Sequence, residues 1–201
     1  EIDSAILHVN KMLKNGADII DIGGESTKPG SEPISANEES SRIVPIIKAI
    51  KNDYKDILIS VDTYKSSVAK KAIKAGADFI NDISGLTFDD EMVSLLAHRN
   101  IPVVIMHING KPKTMQKNIL YSDLVFDIKN FFIKQCDYAI NSGIKESNII
   151  IDPGIGFGKT FDHNFTLLKR LKEFEDLGFP ILIGPSRKAF IGDVLNLPSN
   201  E

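Results

Sequence analysis

Three short stretches carry residues that could do chemistry together: Gly24-Glu25-Ser26-Thr27-Lys28-Pro29-Gly30, Asp152-Pro153-Gly154-Ile155-Gly156-Phe157-Gly158-Lys159 and Gly184-Pro185-Ser186-Arg187-Lys188. Each follows a run rich in Ile and places polar or charged side chains where that run stops. Asp62, Asn81 and Asp152 stand at the ends of three such runs. An ionised carboxylate only accepts hydrogen bonds, while Asn donates and accepts. The set could therefore read a ring edge rich in N–H groups, as in an aminopyrimidinone. Taken singly, each is better explained as a cap for the helix that follows. Lys28, Arg187 and Lys188 place positive charge beside loops rich in backbone N–H groups. Ser186-Arg187-Lys188 falls where a helix should begin, and a helix N-terminus acts with a cation on an anion. An anion or substrate site is favoured there over solvated surface cations.

The glycine-rich turn fits neither familiar phosphate motif. A Walker A loop needs glycine at Pro153, and a dinucleotide fingerprint needs it at Lys159. Either the turn simply requires glycine geometry, or it is a wall that a flat ring approaches, with Phe157 beside it. His107 ends a strand and reads as a satisfied structural histidine. No His, Cys and Glu group has metal-ligand spacing. Cys136 is the sole cysteine. It sits among Phe132, Ile133 and Ala139 in a helical pattern, as a small buried hydrophobe.

The elements that must position these residues alternate. Six strands are expected at 17–22, 57–62, 79–83, 102–107, 149–152 and 180–183, each preceded by an amphipathic helix, and no hairpin signal appears. Asp3 or Ser4 is expected to cap the first helix, and Ser35 with Glu38 has the spacing of a capping box. Near-continuous Ile and Val runs between such helices mean a parallel sheet covered on its faces. Polar residues at the C-terminal ends of five strands (Asp62, Asn81, His107, Asp152 and Lys188) favour a barrel mouth over the single switch point of an open sheet. The expectation is a TIM (β/α)8 barrel with about six of its eight strands present, as one domain over residues 1–201. One strand is expected before Glu1 and one after Glu201, and the 201-residue chain alone is expected to be inactive.

A net charge of −3 gives no basic field for nucleic acid. No apolar run approaches the roughly 18 residues that span a bilayer, so no membrane partner is expected. The default compartment is cytoplasmic, with an organellar address on an absent leader left open.

The three stretches resemble those of dihydropteroate synthase, the folate-pathway enzyme inhibited by sulfonamides. Matching segments continue through Ala17-Asp18-Ile19-Ile20-Asp21-Ile22-Gly23, Ser60-Val61-Asp62-Thr63, Asn81-Asp82-Ile83-Ser84-Gly85, Met106-His107 and Pro112-Lys113-Thr114-Met115-Gln116. They come in the family's order and cover nearly the whole chain. The resemblance implies a TIM barrel that joins 4-aminobenzoate to a dihydropterin bearing a hydroxymethyl diphosphate. By the same resemblance Asp62, Asn81 and Asp152 hold the pterin edge with Lys188, and Met106 and Phe157 line the ring pocket. Thr27, Lys28 and Pro29 lie on a mobile loop that helps close over aminobenzoate and the anion, Ser186 and Lys188 border that acid, and Arg187 is a further substrate-binding residue. Asp152 and Lys188 are the expected catalytic residues.

The resemblance also implies Mg2+, associated with an Asn of the family's first strand. That segment has no counterpart in this sequence, so no metal ligand is assigned within it. A homodimer is expected, and fusion to a pterin pyrophosphokinase occurs in eukaryotic relatives. Position 28 departs from the family by carrying Lys in place of Arg, which removes bidentate binding but keeps the charge. Two alternatives are a pterin-binding methyltransferase acting on methyltetrahydrofolate and a non-catalytic pterin-binding module.

Overall fold

The computed structural model describes residues 2–196. Strands β1 (Ile19–Gly23), β2 (Leu58–Asp62), β3 (Phe79–Asp82), β4 (Val103–Met106) and β5 (Ile149–Asp152) form one parallel sheet in sequence order. Helices α1 (Ile2–Lys14), α2 (Ala36–Asp53), α3 (Ser66–Ala75), α4 (Glu91–Arg99), α5 (Leu124–Asn141), α6 (Phe161–Lys169) and α7 (Ala189–Leu195) alternate with them. The result is an arc of a (β/α)8 barrel.

The sixth expected strand, 180–183, is reduced to a single parallel bridge between Ile181 and Ile151. The Ile151 N–H donates to Pro180 O at 2.9 Å and the Leu182 N–H to Ile151 O at 2.9 Å. Its Ile-rich composition suits a strand. Ladder formation also needs an extended partner along its length, and here β5 stops at Asp152 and turns into the glycine loop.

Two helix starts also differ from expectation. Helix α1 already includes Asp3 in its first turn, so Asp3 and Ser4 lie inside it and not at its cap. Ser35 does accept from the Glu38 N–H at 3.1 Å. Glu38 turns instead to Arg42, 2.6 Å away, so only half of the capping box forms.

The alternation of strand side chains sorts the residues into two sets. Ile20, Ile22, Ile59, Val61, Ile80, Val103, Ile105, Ile149 and Ile151 join one core cluster with the helices. Their neighbours Asp21, Ser60, Asp62, Asn81, Met106 and Asp152 stand outside that cluster and face the barrel axis. Ile19 and Leu58, on the same inner face, remain 45% and 46% exposed. The helix-facing layer is thus a closed apolar core, and the inner face is where polar groups collect.

Candidate active site

Parallel register brings the inner-face residues level with one another. Gly23, Asp62 and Asn81 are successive partners across β1, β2 and β3, and Met106 pairs with Asp152 across β4 and β5. Asp62 Oδ1 and Asn81 Oδ1 are sealed from solvent and meet no donor among the described residues. Helix α3 has Lys65, not Asp62, at its N-cap position, so the capping explanation fails for that carboxylate. An unsatisfied buried acceptor costs about 1–3 kcal/mol. Two of them in register mark a place suited to donors from outside the chain. Burial, reinforced by the charges of Asp21, Glu39, Asp82 and Glu25, raises the Asp62 carboxyl well above the usual range.

Asp152 is 6% exposed and accepts from the Gly154 N–H at 2.7 Å. Burial pushes its carboxyl up to about 6, against that hydrogen bond and the charges of Lys159 and Lys188. Gly154 has φ +69, and a Cβ there would lie 2.0 Å from the His107 carbonyl oxygen, so glycine is required by approach as well as conformation. The turn then carries Phe157, whose ring lies 4.3 Å from Lys188 Nζ. Lys188 is held by this cation–π contact. Burial lowers its ammonium, while Asp152 and Asp62 pull the other way. Lys188 therefore feels both carboxylates.

A deep ion pair roots the first loop. Lys65 Nζ lies 2.6 Å from Glu25 and 2.6 Å from Glu39, and donates to Ile34 O at 2.8 Å. Tyr64 adds a 2.8 Å bond to Glu25. Further out, the Gly30 N–H donates to Pro112 O at 3.1 Å, and Lys113 pairs with Glu32 at 2.7 Å. Gln116 then donates to Gly156 O at 3.1 Å, and Tyr121 to Gly158 O at 2.9 Å. Three loops that are far apart in sequence are thus fastened around one opening.

That opening is a cavity of 780 Å3. Thr27, Lys28 and Pro29 line it together with Phe157, Ser186, Arg187 and Lys188. Arg187 holds the left-handed backbone conformation at φ 56, and α7 begins two residues later at Ala189. Asp62, Asn81, Met106 and Asp152 do not line this cavity. They lie on the strand ends, with Met106 buried, and Lys188 connects the two halves electrostatically.

Sequence reasoning missed several participants. Lys159 is 2% exposed and bonds His107 and Phe157 from behind the turn. The Lys65, Glu25 and Glu39 cluster was also missed. Its signal was Glu39, a carboxylate four residues before Ile43 on the apolar stripe of α2. Burial raises the Asp21 carboxyl on the inner face, against the polar Ser60 and Asn81 side chains. Among the described residues no three His, Cys, Asp or Glu side chains gather as a metal site. None of the described helices is long and apolar enough to cross a membrane.

Residues 1–201 match the family model described as pterin binding enzyme. The chain is 48% identical over 197 residues to a dihydropteroate synthase of Synechocystis, covering 98% of this chain and 68% of that protein. With a dihydropteroate synthase of Clostridium beijerinckii it shares 50% identity over 202 residues, covering 100% and 72%. The solved dihydropteroate synthase of Yersinia pestis, in complex with a sulfonamide drug, superposes with a TM-score of 0.96 at 40% identity, over 100% of this chain and 72% of that one.

Proposed function

The chain belongs to the pterin-binding enzyme family, among its dihydropteroate synthases, and from that premise we propose how its residues divide the work. The activity is a transferase step of folate biosynthesis. It condenses 4-aminobenzoate with (7,8-dihydropterin-6-yl)methyl diphosphate to give 7,8-dihydropteroate and diphosphate.

The observation that carries the assignment of roles is the unpaired Asp62 Oδ1 beside the unpaired Asn81 Oδ1. A pterin offers ring N–H and amino donors on one edge, matching two acceptors already in register. Asp152 supplies a third acceptor from β5, Met106 underlies the ring, and Phe157 and Lys188 form its wall. Lys28, Arg187 and Ser186 surround the diphosphate and the aminobenzoate carboxylate, with Thr27 and Pro29 closing over them.

In the reaction the pterin methylene C–O bond breaks and diphosphate leaves with the electron pair. The aromatic amine forms the new C–N bond and gives up a proton. Charge on the methylene develops as diphosphate departs, and the Asp152 carboxylate stabilises it electrostatically. Closure of the loop that carries Thr27, Lys28 and Pro29 keeps water from competing with the amine. Asp152 and Lys188 are thus the proposed catalytic residues.

Magnesium enters this reading only as the companion of the diphosphate. The described residues offer it no cluster of three His, Cys, Asp or Glu side chains. A homodimer acting in the cytoplasm, with residues 1–201 forming part of a single barrel domain, completes the proposal. Sedimentation equilibrium tests the dimer.

Calorimetric titration with the pterin diphosphate, then 4-aminobenzoate, tests the whole. Pterin should bind first and create the aminobenzoate site, and Asp152→Ala should weaken pterin by roughly 10- to 150-fold, the worth of a hydrogen bond to a charged group. Pterin binding unaffected by that change would overturn the role given to Asp152.

A further inference from the structure

Lys159 is a buried cation for which the reaction above has no use. Its Nζ reaches three acceptors: His107 Nδ1 at 3.0 Å, His107 O at 3.3 Å and Phe157 O at 3.0 Å. These belong to two different pieces of the site, the end of β4 and the glycine turn after β5. Burial and the Lys159 charge hold the His107 ring well below its ordinary titration range. The imidazole is therefore neutral, and it accepts at Nδ1 and keeps its proton on Nε2. Lys159 is the donor in every one of these contacts.

Geometry shows how tightly the lysine is built in. A Cβ at Gly154 would meet Lys159 Nζ at 3.3 Å as well as the His107 carbonyl. The His107 N–H in turn donates to Asp152 O at 2.9 Å. The acceptors of Lys159 thus sit on the backbone that aims the Asp152 carboxylate and the Phe157 ring. A buried cation is costly unless it is paired and hydrogen-bonded. Three hydrogen bonds offset that cost, and its long-range partner is the Asp152 charge.

We propose that Lys159 is a positioning residue for the transfer: from behind the site its hydrogen bonds fix the end of β4 at His107 and the glycine turn at Phe157, with its positive charge set against the Asp152 carboxylate. The inference rests on the pterin reading given above. Asp152 is faced by Lys159 from the turn and by Lys188 from the last segment. Lys159 is faced by Asp152, Lys188 and the neutral His107. Lys159, brought down to about 7 by burial, is charged over the range in which Asp152 titrates at about 6.

The test compares the full chain with Lys159→Met and Lys159→Gln, measuring thermal unfolding and the affinity for the pterin diphosphate from pH 5 to 8. Methionine removes charge and donor, whereas glutamine keeps a donor and loses the charge. The expected result is a folded protein in both cases, with pterin bound about 10-fold more weakly at pH 7 by the Met variant, as for one lost hydrogen bond. The acid limb of pterin affinity should move to higher pH in both, because the charge that favours the Asp152 carboxylate is gone. An unmoved limb, or a loss of affinity that only tracks the unfolded fraction, would overturn the proposal. Failure of both variants to fold would do the same, since Lys159 would then serve the fold and not the site. Absence of pterin binding by the unmodified protein would instead overturn the pterin reading.

Discussion

Asn81 and Asp82 are neighbours on one strand and face opposite ways, and their surroundings could hardly differ more. Asp82 points into the helix-facing layer and is fully buried. Its carboxylate accepts from the Ser84 N–H at 2.8 Å, the Ser84 hydroxyl at 2.7 Å and the Leu86 N–H at 3.2 Å. Asn81, with Asp62 beside it, points to the barrel axis and keeps an acceptor with no donor among the described residues. The Lys65, Glu25 and Glu39 cluster belongs with Asp82, since its charges answer one another inside the chain. One region uses buried polarity to hold loops in place. The other leaves it open, at a cost in stability, for a ligand's N–H groups to satisfy.

The largest expected effect lies in the satisfied region. Lys65→Ala strands two carboxylates with little solvent around them, and should lower stability by about 3–5 kcal/mol. Denaturant unfolding measures this, and a loss below 1 kcal/mol would break the contrast. Asp82→Ala comes next, leaving the Ser84 and Leu86 N–H groups without their acceptor, for a loss of roughly 1–3 kcal/mol.

Asp62→Asn should go the other way. The Asp62 carboxyl is raised in the folded protein, so its ionised form opposes folding at neutral pH. Removing that charge should leave the free protein as stable or about 1 kcal/mol more stable, while pterin binds more weakly. The two effects separate in one experiment that pairs a melting curve with a titration.

The Asp152 carboxyl gives the comparison a pH axis. Its folded value of about 6 exceeds its ordinary 3.8. Its contribution to stability is therefore full below 3.8 and lost as pH rises through 6. Pterin affinity should run in the opposite sense, falling as pH drops through 6. Affinity that stays flat from pH 7 to 5 would contradict the role of the carboxylate. The smallest effect is Lys28→Arg on the exposed loop, which should tighten diphosphate binding only a few-fold by adding a bidentate contact.

Much of this arrangement was legible in the residues. Runs of Ile and Val marked β1 to β5 closely. The strand-end position of Asp62, Asn81 and Asp152 followed from those runs. Thr27, Lys28, Pro29, Phe157, Ser186, Arg187 and Lys188 do share one cavity, as expected from their loops. The sixth strand was overread, because apolar composition is local and pairing is not. The helix expected before the sixth strand is also broken: it ends at Lys169 and gives way to a 3-10 segment at Leu171–Leu177. Lys159 and Lys65 escaped notice for a related reason. Their partners lie far along the chain, 52 residues away for His107 and 40 for Glu25. Only folding makes such a lysine an internal one.

The most direct test of the central claim is a crystal structure of the full chain with the pterin diphosphate bound. Asp62 Oδ1 and Asn81 Oδ1 should then each accept an N–H from the ring edge, with Asp152 as the third acceptor and the diphosphate among Lys28, Ser186 and Arg187. A pterin bound elsewhere, with those two oxygens still lacking a donor, would contradict the account.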